Sequence, residues 1–252
     1  MDIQVCRVAF AEVERLRDLY RREANCQIIH DSALARGIAD PYLCLVDGRI
    51  AGYGGVWNKY HEGQVMEFST LPSARLLALP MFQALLAVSE ATKIEAQTNM
   101  PLLLMLLYDC ARNITSETIL FQDAGVTHLD CPDGCLRQTT PFDAGRIFTH
   151  EHEPVGDWLM EVGETVVATG GAYDHYNPPY SDIFMEVVPA QRRQGYGSYL
   201  VQELKRLCYE RGKVPAARCN VANVASRRTL QRAGFLPCAR LLVGEVIPGS
   251  AC

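Results

Sequence analysis

Three things are missing from this 252-residue chain, and each absence narrows its class. No uninterrupted apolar run approaches the ~20 residues that cross a bilayer; the stretch around Leu102–Leu107 falls far short. Basic residues are not in excess. Lys plus Arg total 24 against 29 Asp plus Glu, a formal net charge of −5, whereas a duplex binder carries a basic face. The opening MDIQVCRVAF has an acidic second residue and no apolar signal core. The expectation is a cytoplasmic protein, an enzyme, with neither membrane nor nucleic acid as partner. With 48% hydrophobic and 21% charged residues the composition is globular. At roughly 150 residues per domain, the length allows one or two domains.

Cysteine runs against this sparseness. Ten are present, yet no two form a CxxC, and a small secreted disulfide scaffold would pack them more densely. The tight pair is Cys131-Pro-Asp-Gly-Cys135, with His128 upstream and His150 and His152 downstream. Structural zinc sites show two short-spaced ligand pairs. A Pro-Asp-Gly turn between two thiols is therefore the expectation, with no metal.

The second half carries the informative pattern. Residues 158–169, WLMEVGETVVAT, read as a hairpin turning at Gly163-Glu164. After a Pro-rich loop, IFMEVVP is a short β-run closed by Pro189. Arg192-Arg193-Gln194-Gly195-Tyr196-Gly197-Ser198 then leads into a helix with Leu200, Val201, Leu204, Leu207 and Cys208 on one stripe. A strand, VPAARCNV, and a helix over Val224–Ala233 follow. Strand, Gly-rich turn, helix, strand, helix is a layered α/β order. Such a turn presents unpaired N–H groups at a helix start and lets phosphates approach without a Cβ in the way. Taken alone, the junction reads equally well as a tight connection with solvated arginines.

The junction does not stand alone. Val187-Val188-Pro189 followed by Arg192 to Gly197, and then Asn223 to Gly234-Phe235, resemble the two signatures of the GCN5-related N-acetyltransferase (GNAT) family. The resemblance is specific over about 55 residues from Asp182 to Phe235 and extends by element order to Trp158. It implies a mixed central sheet with helices on both faces, and acetyl-coenzyme A (acetyl-CoA) as donor between two splayed parallel strands. It implies that backbone amides of Gln194 to Ser198, flanked by Arg192 and Arg193, hold the pyrophosphate. The main chain of Val187 and Val188 would pair with the pantetheine arm, the Val187 N–H would stabilise an oxyanion, and Asn223 and Ser226 would lie near the thioester. Two positions depart from the family pattern: Leu230 stands where many members have a Tyr acid, and Ser181 where many have a catalytic Glu.

The residues themselves offer a base. Glu186 interrupts a strand that is otherwise apolar at Ile183, Met185 and Val187. A buried carboxylate must find partners or raise its pKa. Either Glu186 is the catalytic base or it ends in a structural pairing. Asp182 shares its strand face, and Tyr173, His175, Tyr176 and Tyr180 precede it as a cluster suited to an acceptor pocket or to ordinary turn packing.

The first half repeats the order. A helix over 11–25, a hairpin turning at Asp47-Gly48, a strand QVMEF, a helix, a strand KIEAQTN and a helix from Pro101 follow in turn. VDGRIAGYGG parallels VGETVVATGG. The phosphate turn is absent: STLPSARLLALP has no glycine and places Leu71, Leu76 and Leu77 there. The expectation is a tandem duplication, with a degenerate GNAT-like domain over 1–125 and an acetyltransferase domain over 126–252. The second would move an acetyl group to a small-molecule or peptide amine by direct attack. The competing reading is an acetyl-CoA-binding regulatory module without turnover.

Overall fold

The computed structural model describes residues 1–23 and 31–249. The chain divides into two compact units, 1–118 with 239–252, and 119–238. The first unit runs β1 (Ile3–Arg7), α1 (Phe10–Glu23), α2 (Asp31–Ala35), β2 (Ala39–Val46), β3 (Arg49–Trp57), β4 (Gln64–Thr70), a 3-10 turn, α3 (Ala78–Ser89), β5 (Lys93–Gln97) and α4 (Pro101–Cys110). β6 (Ala111–Asp123) leaves this unit at Thr118. The second unit continues with β7 (Gly134–Gln138), β8 (Trp158–Val162), β9 (Thr165–Tyr173), β10 (Tyr180–Val187), α5 (Tyr196–Glu210), β11 (Val214–Asn220) and α6 (Val224–Arg232). β12 (Phe235–Val246) begins there and ends in the first unit, where Leu241–Glu245 pair antiparallel with Gln97–Lys93. The compact division thus falls inside β6 and β12, and residues 239–252 group with the first unit rather than the second. The end of the predicted first helix, 24–25, lies outside the described residues.

Alternation along the strands builds the first unit as a sandwich of layers. Tyr42 and Cys44 on β2 join α3 and α4 in one core cluster, whereas Leu43 joins Val13 and Tyr20 of α1 in another, with Leu45 packed against it. Helices therefore cover both faces. The helical stretch Pro72–Ser89 is long and apolar enough to cross a membrane by length and composition alone. Met81, Phe82, Leu85 and Leu86 within it are core residues. Leu76, expected to crowd the place of an anion turn, is instead 98% exposed.

In the second unit α5 and α6 share one cluster with Ile183, Ala217 and Phe235, and Met185 and Val187 pack against it. The opposite face carries no α-helix among the described residues. Residues 139–157 cover it as a segment that is irregular apart from a short 3-10 turn at Pro141–Asp143, with Pro154 and two glycines opposing any longer helix. Thr139 closes the segment through its N–H to Asp157 O (2.8 Å) and its hydroxyl to Gly156 O (2.9 Å). Gly156 lies flush on β9, where an added Cβ would meet Gly170 O at 1.9 Å.

α5 and α6 are locked together by one buried cation. Lys205, 2% exposed, donates to Gly125 O (2.6 Å) and Ala233 O (2.9 Å), pairs with Asp123 (2.8 Å) and lies 4.8 Å from the Phe235 ring centre. Lys205→Met removes the cation and leaves its acceptors unmatched, so chemical denaturation should show a loss of about 3 kcal/mol. A loss below ~1 kcal/mol, the worth of a surface pair, would contradict this role.

Candidate functional site

Parallel strands β10 and β11 pair only at Tyr180–Val214, Ser181–Pro215 and Asp182–Ala216, and β10 then runs on alone to Val187. Its other edge stays paired with β9, and the Val188 N–H donates to Val167 O (2.9 Å). Alternation in an antiparallel ladder turns the Val187 N–H the other way, into the opening. A cavity of about 740 Å³ lies there, in the range of small-molecule sites.

One end of this cavity is built for an anion. Gly195 is the N-cap of α5 with φ +95°, a conformation that L side chains rarely adopt, and no side chain caps the helix. The first-turn N–H groups therefore face the opening. A Cβ on Gly197 would stand 3.2–3.3 Å from Val187, Met185 and Thr229 side chains. Arg192, Arg193, Arg228 and Arg232 ring the same end. Arg192 also donates to Val187 O (3.1 Å) and pairs with Glu151 (3.3 Å).

Most residues named from the sequence meet here. Glu186, Val187, Arg192, Arg193, Gly195, Tyr196, Gly197, Ser198, Asn223 and Ser226 line the cavity. Val188 and Gln194 side chains do not. Both main-chain groups of Val188 are hydrogen-bonded within the chain, its N–H to Val167 O and its C=O to the Gln191 N–H (2.9 Å). The Gln194 side chain turns to Gln191 (2.6 Å). Asn223 caps α6 by accepting the Ser226 N–H (2.9 Å). Leu230, at the expected acid position, is core.

Glu186 is 6% exposed and fully engaged. Its two oxygens accept the N–H groups of Glu151 (2.9 Å), His152 (3.1 Å) and Glu153 (3.0 Å), and His150 Nδ1 lies 3.8 Å away. Burial alone would push its carboxyl up, but these backbone donors and His150 hold it below the ordinary range. The second of the two sequence readings, a buried carboxylate with structural partners, describes this geometry. An acid so stabilised in its charged form is a poor proton acceptor.

His175, Tyr176, Tyr180 and Asp182 lie outside the cavity lining, at the start of β10. Tyr176 and Asp182 are buried and share Arg218 of β11, a residue the sequence reading passed over. Arg218 Nε meets Asp182 Oδ2 at 3.0 Å, donates to the Tyr176 hydroxyl and lies 5.0 Å from that ring. A cation inside a buried strand was the signal, the same one that drew notice to Glu186. Glu153 was also missed. It lines the cavity and interacts electrostatically with both Arg218 and Asp182. Of the cysteine turn, Cys131 is partly buried and Cys135 exposed, both free thiols. No cluster of three His, Cys, Asp or Glu residues suited to a metal occurs among the described residues.

This architecture matches known proteins. The family model for the acetyltransferase (GNAT) family covers residues 123–235. That segment is similar to the GNAT family. A search of curated proteins finds no match. Among solved structures, an acetyltransferase of the GNAT family from Colwellia psychrerythraea aligns over 98% of this chain and 100% of its own, at 16% identity and TM-score 0.77. A tandem GNAT protein from the clavulanic acid biosynthesis pathway, solved without acetyl-CoA, aligns over 98% and 100% at 13% identity and TM-score 0.64. A GCN5-related N-acetyltransferase from Sphaerobacter thermophilus follows with 98% and 96% covered, 14% identity and TM-score 0.53. Over nearly its whole length the chain thus shares the fold of these proteins.

Asp182 gives the site a pH signature. It is 3% exposed, and burial raises its carboxyl from 3.8 to about 7 against the pull of Arg218. The folded state then binds this proton more tightly than the unfolded state. Its contribution to stability is full below the ordinary value of 3.8 and is lost as the pH rises through about 7. Urea unfolding across that window should show a falling stability component in the wild type that Asp182→Asn lacks. Parallel profiles for the two proteins would contradict it.

Proposed function

We propose that the second unit is an acetyl-CoA-dependent N-acetyltransferase acting on a primary amine of a small molecule or peptide. One observation carries this reading: a glycine-shaped, amide-lined and arginine-ringed helix start that opens where two parallel strands separate. The residues fit the donor. Backbone amides from Gln194 to Ser198 would hold a pyrophosphate, with Arg192, Arg193, Arg228 and Arg232 supplying charge. The outward Val187 N–H would meet the donor's arm and carbonyl oxygen as an added strand does. Asn223 and Ser226 would border the far end. Acetyl-CoA supplies an activated thioester; the chain orients it and manages the acceptor's proton. The net charge of −5 favours a cationic acceptor.

A second reading has a specific observation behind it. Ser181 gives its hydroxyl to Asp174 and Leu230 is core, so neither usual acid–base position is served. A coenzyme A-binding regulatory module without turnover would need neither. Following free thiol while the protein is mixed with acetyl-CoA and amines separates the two, since only an enzyme releases thiol in step with acetylated amine.

Donor binding is testable without an acceptor. Gly195→Val forces a Cβ into a left-handed position, and Gly197→Val presses on the cavity wall. Each should weaken coenzyme A binding by at least about tenfold in calorimetry, equivalent to 1.4 kcal/mol. Unchanged affinity in both variants would remove the donor assignment.

The wild type should bind one coenzyme A per chain. In the first unit α3 begins at Ala78 after Leu77 as N-cap, with no glycine and no side-chain cap, so no anion turn forms there. Two equivalent sites in the titration would contradict a degenerate first copy.

A further inference from the structure

The contacts that occupy Glu186 aim a different carboxylate. Glu153 sits in the irregular segment covering β9 and β10, with its backbone clamped at both ends. Its N–H donates to Glu186 Oε2 (3.0 Å), and its C=O lies 2.8 Å from His150 Nδ1. His150 is fixed in turn by Thr169 Oγ1 at 3.0 Å from Nε2 and by stacking on Phe148 at 4.6 Å. Among the described residues, the Glu153 carboxylate itself has no hydrogen-bond or ion-pair partner, and it forms part of the cavity wall beside Met185 and Glu186. A main chain held this firmly around a free carboxylate fixes where that carboxylate can reach.

We propose that Glu153 is the general base for the acceptor amine, and that Glu186 and His150 are positioning residues that hold it at the cavity. The assignment deepens the donor reading above and rests on it. The step is a single proton transfer. An N–H bond of the acceptor ammonium breaks, its electron pair stays on nitrogen as the nucleophilic lone pair, and the Glu153 carboxylate takes the proton. The carboxylic acid returns that proton to solvent after the product leaves.

The surroundings suit the task. Burial raises the Glu153 carboxyl above the ordinary range, and the Glu186 charge adds to this, while Arg218, His152 and His150 oppose it. Asp182 on β10 and Tyr173 on β9 also feel the Glu153 charge. A base raised toward neutrality accepts a proton more readily than one held low, as Glu186 is.

Two variants and two readouts test the proposal. Acetyl-CoA would be offered with spermidine, lysine, kanamycin and a Met-initiated peptide, with free thiol followed on whichever the wild type uses fastest. Glu153→Gln should lower kcat by about 10²–10⁴-fold, the usual share of general base catalysis. Coenzyme A affinity by calorimetry should stay within about twofold, and the acidic limb of the wild-type pH profile should vanish. Glu186→Gln should lose less activity but move that limb to lower pH, because the charge that raises Glu153 is gone. A merely structural role would leave the limb in place.

The second readout needs no substrate. Carboxyl-13C glutamate labelling of the free protein, with the Glu153 signal identified by its absence in Glu153→Gln, should show a titration midpoint above the ordinary glutamate range. That midpoint should fall in Glu186→Gln. Wild-type turnover and an unchanged acidic limb in Glu153→Gln would overturn the proposal, as would an ordinary midpoint for Glu153. Failure of the wild type to bind coenzyme A would instead overturn the donor reading, and the base assignment with it.

Discussion

The site depends on where two parallel strands stop pairing. β10 and β11 hold together for three residues and then part, while β9 keeps β10 straight to Val187. That parting leaves backbone donors of β10 facing open space, a state that costs free energy unless water or a ligand answers them. It also sets the start of α5 over the gap, so the helix's own unpaired N–H groups point into the same volume. Two sets of unsatisfied donors converge on one cavity because a single ladder ends early. The first unit parts its strands in the same way, with β4 and β5 paired only at Gln64–Lys93 and Val65–Ile94. What it lacks is the glycine that would let a helix begin at the opening.

Charge divides the cavity of the second unit. Arginines from the turn and from α6 gather where the helix dipole is positive, which favours an anion there. Carboxylates lie toward the strand side, and they differ in state. Glu186 accepts three backbone N–H groups and stays charged; Asp182 is buried against Arg218 with one oxygen, Oδ1, left unpartnered. Glu153, half-buried and free, stands between these cases. These three acidic side chains therefore differ in proton affinity: backbone donors hold Glu186 low, while burial raises Glu153 in the cavity wall and Asp182 beyond it.

Much of this was legible in the chain. Gly195 and Gly197 marked a glycine turn at a strand-to-helix junction, and Gly195 takes φ +95° there, which only glycine does without strain. The apolar stripe of α5 named the core residues Leu200, Val201 and Leu204, which the structure buries. The hairpins at Asp47-Gly48 and Gly163 were readable from alternation and turn chemistry alone. The repeat of element order was readable too, because hydrophobic periodicity is a local property of each segment.

Other features had no local signature. That Glu186 would be satisfied by the N–H groups of residues 35 to 33 positions earlier depends on an irregular segment folding back over β9, which no periodicity encodes. The swing of β12 out of the unit in which it begins depends on pairing between residues about 150 apart. The sequence by itself determined the element order, the glycine turn and the apolar faces, because each follows from steric and hydrophobic rules acting over a few residues. Only the tertiary structure decided which carboxylate is tied down and which is free. Proton affinity is set by donors and burial in three dimensions, and those arrive from distant parts of the chain.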